Sequence, residues 1–388
     1  MDKKVYVDNA ATTPVLPEVA EEIERVMTGV WGNPSGLYSR GQEAKETLED
    51  ARRRIAVCLG CLPEELYFTS CGSESDNWAI KGTALAKSKK GKHIIVSSYE
   101  HHAVLHSVRA LAKQGYDITY VKPRHDGIVY PEDVEKEIRA DTVLICVMAA
   151  NNEIGSINPI KEIASAAHAH GVVFFSDGVQ AAGHIPVDLH DLGVDMFSFS
   201  GHKFNAPKGV GGLYIKKGAV VRNLIDGGAQ ERGKRAGTEN VPYIAGMAKA
   251  LEIAVARLDD NERVAKMRDR LAAGLSEIGY SRINGGMEHR LPGNLNMSFE
   301  FVEGESLLLL SDAAGICLST GSACSSASLE PSHVLLSIGV PVEIAHGSLR
   351  FSLSHENTEE DVDYILEKMP GIVAILRDMS PLYDARRM

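Results

Sequence analysis

Three chemically distinct groups stand where β-rich runs of this 388-residue sequence end. The run MFSFSGHK closes on Lys203, directly after residues that should be buried, and a lysine is almost never buried unless it is paired or reactive. VVFFSD ends in Asp177, a carboxylate closing a strand that is otherwise apolar apart from Ser176. LYFTS runs into CGSESDNWAIKG, where Gly72 and Ser73 open a helix whose unpaired N–H groups and dipole suit an anion such as a phosphate. Each has a plain account on its own. Ser73 is an N-cap, Asp177 a surface-loop aspartate, and Lys208 in the neighbouring Pro-Lys-Gly turn is a rival lysine, more simply solvated. Together they match pyridoxal 5'-phosphate, which needs a Schiff-base lysine, an anionic partner for its pyridinium nitrogen and a phosphate cradle.

Further polar groups stand at the same kind of position. SSYEHHAV supplies His101 and His102; a histidine there suits stacking on a planar ring and moving protons. As a zinc site the pair is poor, since adjacent histidines point apart and no Cys or Asp stands at ligand spacing. Ser200 and His202 flank Lys203, MAANNEIG brings Asn151 and Asn152, and DGVQ brings Gln180. Arg350 lies in the strand-like HGSLRFSLS, where a planar guanidinium would take a substrate carboxylate bidentately; a surface salt bridge is the simpler alternative. Cys324 stands apart from the other cysteines, in LSTGSACSSASLEPSH, with no apolar periodicity to bury it.

The elements that must position these groups follow from the pattern. From about residue 60 to 220, the β-rich runs LYFTS, HIIVSSYE, DITYVKP, TVLICVMAANN, VVFFSD, MFSFSGHK and GGLYIKK alternate with helical stretches. That alternation predicts an α/β fold with helices packed on a mostly parallel sheet, whose ligands sit at the carboxyl ends of the strands. After Gly237, Ile244, Met247, Ala248, Leu251, Val255 and Leu258 follow helical spacing, and so do Val264, Met267, Leu271 and Leu275. These helices lead into a C-terminal α/β domain. A net charge of −11 disfavours a nucleic-acid partner. No window approaches the roughly 18 apolar residues of a membrane span, so a cytoplasmic protein is expected. Six cysteines predict reduced thiols, and Cys58 and Cys61, though a CxxC, read as packing residues at a helix end.

The blocks DNAATTP, GNPSGLYSRG, TSCGSESDN, MAANNEIG, DGVQ, SFSGHKFNAPKGVGGLY, GGAQERGKRAGTEN, TGSACSSASLEPSHV and SLRFSLS resemble the NifS/IscS-type cysteine desulfurases. These belong to the aminotransferase class V family of fold-type I pyridoxal-phosphate enzymes. The resemblance implies a large cofactor-binding domain over 15–255 and a smaller one made of 1–14 and 256–388, carrying a mobile catalytic loop at about 318–333. It implies that Lys203 is the Schiff-base lysine, that Asp177 pairs with the pyridine nitrogen, that His101 stacks on the ring and that Gln180 approaches its phenolic oxygen. The phosphate would be held by Gly72, Ser73, Ser200 and His202, with Thr238 reaching in from a second subunit; Asn152 and Arg350 would take the substrate carboxylate. Cys324 would attack the sulfur of L-cysteine and leave alanine and a persulfide.

The implied assembly is a homodimer that passes sulfur to an iron–sulfur scaffold or another persulfide acceptor, with no resident metal, although the Cys324 persulfide would transiently meet a nascent cluster. Departures from the family pattern are Cys71-Gly72-Ser73 at the cradle, Asn205-Ala206 before Pro-Lys-Gly, and Gly178 within DGVQ. Two other readings keep the fold: a class V aminotransferase or lyase acting on another amino acid, and a non-catalytic sulfur carrier. The first gives Cys324 no task. The second gives none to Lys203 and Asp177.

Overall fold

The computed structural model describes residues 3–320 and 331–383. Cys324 therefore lies outside the described residues. Along them run β1 (Val5–Tyr6), β2 (Leu66–Thr69), β3 (His93–Ser97), β4 (Asp117–Val121), β5 (Thr142–Cys146) and β6 (Val173–Asp177). There follow β7 (Met196–Ser200), β8 (Gly211–Ile215), β9 (Ser281–Ile283), β10 (Asn294–Phe299), β11 (Ile316–Cys317) and β12 (Ser348–Ser352). Every β-rich run read from the sequence between 60 and 220 is a strand. The two long helical patterns are the helices Val241–Ala256 and Asn261–Ser276, with Leu258 in a short 3-10 turn between them.

Seven strands form the main sheet in the order β2-β8-β7-β6-β5-β3-β4. From β7 to β4 neighbours are parallel, while β8 runs antiparallel to both β2 and β7. Strands β3, β5 and β7 are buried along their whole length. Continuous burial explains their near-continuous apolar runs, because helices cover both faces of a parallel sheet. Successive residues face opposite ways: Phe174 and Phe197 pack into one core with Ile55 and Leu251, and Phe175 and Met196 into another with Trp78 and Val96. Gly178, one of the departures, answers to this packing. A Cβ there would lie 1.8 Å from the Phe197 ring.

A third core gathers Val5 and Val7 with Met267, Leu271, Leu295, Phe351 and Ile365. It packs on a sheet of order β12-β10-β9, all antiparallel, and on the parallel pair of β1 with β11. The N-terminal segment is thus held by residues some 340 positions away. Ser352 N–H donates to the Val7 carbonyl at 2.7 Å, and its hydroxyl accepts the Ala10 N–H at 2.9 Å. Cys58 ends the helix Ser39–Cys58, and Cys58 and Cys61 pack against the first core. Burial pushes their thiols up to about 11 and about 12. Among the described residues no helix is long and apolar enough to cross a membrane.

Candidate active site

A cavity of about 350 Å³ opens at the carboxyl ends of β3, β5, β6 and β7, where strand order reverses between β3 and β5. Gly72, Ser73, His101, Asn152, Asp177, Gln180, Ser200, His202, Lys203 and Arg350 all border it. Candidates as far apart in sequence as Gly72 and Arg350 thus converge on one site. Thr238 does not join them: it is exposed and lines a separate depression with Phe68, Ser70 and Arg235. Asn151 is fully buried and organises a turn, its side-chain oxygen accepting the Glu153 and Ile154 N–H groups.

Lys203 closes the 3-10 turn Gly201–Lys203 that continues β7. Its ammonium donates to the Ala10 and Ala11 carbonyls at 2.7 and 2.8 Å, while Gln180 Nε2 also donates to Ala10 at 2.9 Å. The rival Lys208 is exposed and borders no part of the cavity. His101 is the N-cap of the helix His102–Ala112, its Nδ1 accepting the Ala103 N–H at 3.2 Å. Burial, then the nearby Lys203 charge, lower His101 to about 4, and the same two causes lower His202 to about 4. Both shifts favour the neutral form of the ring at pH 7. The His101 and His102 rings stand 6.4 Å apart and tilted by 55°.

Three carboxyl groups, Asp177, Asp76 and Glu100, gather at the cavity floor, and sequence reading missed the last two. Asp177 is 4% exposed and accepts the Val179 N–H at 2.9 Å, which excludes the surface-loop alternative. Burial pushes it up to about 6, while the Val179 N–H and the Lys203 charge pull it down. Asp76, 1% exposed, accepts the Ser198 hydroxyl at 2.6 Å. Burial, then the charge of Asp177, raise it well above the ordinary carboxylate range. Glu100, close to them, is pushed up to about 8 by burial; the Ser97 hydroxyl and the Met148 N–H donate to one of its oxygens, and the other has no partner among the described residues. Asp76, His101 and Asp177 offer ligand atoms all within 4.8 Å of one another. A cation held there meets two carboxyls, and the adjacent lysine and anion cradle favour a protonated ring nitrogen as that cation. The missed signal was Asp76 itself, four residues after Gly72 and so on the same helical face.

The cradle fits a phosphate. The helix Gly72–Lys87 begins at Gly72 behind Cys71, so Ser73 sits in its first turn and is not the N-cap expected from the sequence. First-turn N–H groups have no intrahelical acceptor. Ser200 Oγ is buried with no partner among the described residues, and a Cβ at Gly72 would stand 2.8 Å from Val179 Cγ2 and 3.4 Å from Ser200 Cβ. Only glycine leaves this space open.

The opposite wall is built around Arg350. It is 2% exposed, donating to Asp8 Oδ1 at 2.8 Å and to the Asn152 carbonyl at 2.8 Å. It is no surface salt bridge. Its Nε is buried with no partner among the described residues, leaving a donor for a carboxylate.

Known proteins resemble this chain along nearly its whole length. The chain is 54% identical over 382 residues to cysteine desulfurase IscS of Methanosarcina thermophila, covering 98% of this chain and 95% of the relative. It is 51% identical over 388 residues to cysteine desulfurase IscS of Clostridium botulinum, covering 99% and 98%. A solved structure described as a NifS-like protein superposes with a TM-score of 0.91 at 41% identity, covering 96% of this chain and all (100%) of that one. Another, described as SspA in complex with cysteine, gives 0.79 at 33% identity, covering 90% and 99%. The model of the aminotransferase class-V family matches residues 5–365, and the chain belongs to that family.

Proposed function

We propose that this protein is a pyridoxal-phosphate-dependent cysteine desulfurase, converting L-cysteine to L-alanine and a persulfide on Cys324. The observation that carries the reading is the joining of Lys203, Asp177, His101 and the Gly72 helix start in one cavity, in a chain 54% identical to a cysteine desulfurase along nearly its full length. When bound, pyridoxal phosphate supplies an electron sink for a substrate amine attached to it.

The chain's own residues do the rest. Gly72, Ser73, Ser200 and His202 would hold the phosphate, and Asp177 would keep a proton at the ring nitrogen. His101, neutral and beside Lys203, would stack on the ring, and Gln180 would face its phenolic oxygen. Arg350 Nε and the Asn152 side chain would orient the substrate carboxylate. Lys203 would take the proton from the substrate Cα as general base. A free thiol titrates at about 8.5, so Cys324 needs a base to act as thiolate; His101 is the group assigned to that proton. As the Cys324 sulfur bonds to the substrate sulfur, the Cβ–S bond breaks. The electron pair left on Cβ ends as a C–H bond, which makes the product alanine.

Around this centre we place a two-unit chain, 15–255 and 1–14 with 256–388. The separate core that joins Val5 and Val7 to residues beyond 264 supports the division. A homodimer would bring Thr238 of one subunit toward the phosphate of the other, and its exposed position suits that role. The persulfide acceptor would be an iron–sulfur scaffold or another sulfur-accepting protein, in a reducing cytoplasm. Mixing the protein with L-cysteine without reductant, followed by peptide mapping, tests the reading. A sulfur adduct on Cys324 with one alanine per site is expected; pyruvate or another oxo acid with no adduct would replace it with a lyase or aminotransferase.

A further inference from the structure

Cys324 stands five residues after Ser319 and eight before Ser332 in the sequence, and both flanking residues belong to the described structure. Ser319 exchanges two backbone hydrogen bonds with Arg350, at 3.3 and 2.6 Å. On the other flank the Ser332 hydroxyl donates to the Glu153 carboxyl group and accepts the Leu335 N–H at 3.2 Å. His333 Nε2 donates to the Glu100 carbonyl at 3.0 Å, and its ring lies 4.8 Å from that of His102. Glu153 is 3% exposed, borders the cavity and follows Asn152, whose carbonyl holds Arg350. Two flanks that approach from different elements therefore end on one wall.

We propose that Glu153 is a positioning residue: through Ser332 it fixes one flank of the Cys324 segment to the wall that holds the other flank at Arg350. The proposal rests on the desulfurase reading. A buried carboxyl is costly unless it is bonded. Burial raises Glu153, and the Ser332 hydroxyl, ahead of the Arg350 charge, draws it back. Fixing both flanks limits where the thiol between them can lie, and that raises its effective concentration at the substrate sulfur. Because Arg350 and Asn152 border the cavity and would take the substrate carboxylate, the anchor and the substrate would share one frame.

The test uses the cofactor-loaded protein and the variants Glu153→Ala, Ser332→Ala, their double, Glu153→Gln and Ser332→Thr. Three quantities are read: cysteine affinity from the absorbance change on mixing, the rate of Cys324 persulfide formation by rapid quench and peptide mapping, and the melting temperature. Loss of the tie should slow persulfide formation by about 10- to 100-fold with cysteine affinity held within about 2-fold. The double variant should be no slower than either single. Glu153→Gln, which can still accept the Ser332 hydroxyl, and Ser332→Thr, which keeps both donor and N-cap, should stay near wild type. Multiplying effects in the double, a defect in Glu153→Gln equal to that of Glu153→Ala, or a loss confined to cysteine affinity would each overturn the anchor. If Glu153→Ala does not fold, Glu153→Met, which fills the same space without an acceptor, set against Glu153→Gln decides the same point. Wild-type protein that forms neither alanine nor persulfide would overturn the desulfurase reading itself, a result separate from all of these.

Discussion

The floor of the cavity and its opposite wall are built in different ways. The floor takes Asp177, Ser200 and Lys203 from the ends of two adjacent parallel strands and Gly72 from the helix after a third. The sheet fixes their spacing as soon as it forms. The wall joins Asp8, Ala10, Asn152, Ser319 and Arg350, whose neighbours in space lie up to about 340 residues apart along the chain. The groups proposed to react thus sit on the rigid element, while those proposed to face the substrate, and the Cys324 flanks, sit where two cores meet. A site built this way keeps its chemistry fixed and leaves substrate placement to long-range contacts.

Damage to the floor should be the more severe. Lys203→Ala removes the proposed base and should cut alanine release by at least about 10³-fold. Borohydride labelling followed by peptide mapping checks the assignment, and a label on Lys208 in the wild type would break it. On the wall, Arg350→Lys keeps the charge but loses the planar fork. The Michaelis constant for cysteine should rise by about 10-fold or more, with turnover less affected, since a charged hydrogen bond contributes about 1.5–3 kcal/mol. An equal fall in turnover would place Arg350 in the chemical step.

The floor should also show itself in the pH dependence of stability. Glu100 is raised to about 8 from an ordinary 4.5, so the folded state binds its proton more tightly than the unfolded state does. The stability this gives is complete below about pH 4.5 and is lost as pH rises through about 8. Glu100→Gln, whose oxygen can accept from Ser97 and Met148 as before, should flatten that loss. Melting curves of both proteins from pH 5 to 8 should diverge as pH rises, with the variant relatively more stable at the alkaline end. Parallel curves would mean that Glu100 stays ionised. The smallest effect expected is that of Ser352→Ala, which removes the acceptor for Ala10 N–H and should cost about 1 kcal/mol of stability. If the wall steers Lys203 through Ala10, cofactor affinity should fall with it.

Much of this was legible in the sequence because it obeys local rules. Lys203, Asp177 and Gly72 were readable as strand-end groups, since an apolar run that stops at a charge or a glycine marks both the strand and its carboxyl end. Gly178 was readable only as a departure, and the Phe197 ring beneath it supplies the reason. Asp76 and Glu100 escaped because a buried carboxyl leaves no signature of its own. Asp76 reads as a polar residue in a helix, and Glu100 as the last letter of a strand-like run. Cys324 lies outside the described residues, and its role rests on the sequence.

By itself the sequence determined the seven strands of the main sheet and the strand-end positions of Asp177, Lys203 and Gly72, because hydrophobic pattern and strand-end position are properties of neighbouring residues. Only the tertiary structure decided that Ala10 would hold Lys203, that Asp76 would press against Asp177, and that Glu153 and Arg350 would gather both flanks of Cys324. Those pairings depend on which distant surfaces bury each other, and that is settled by the packing of three cores.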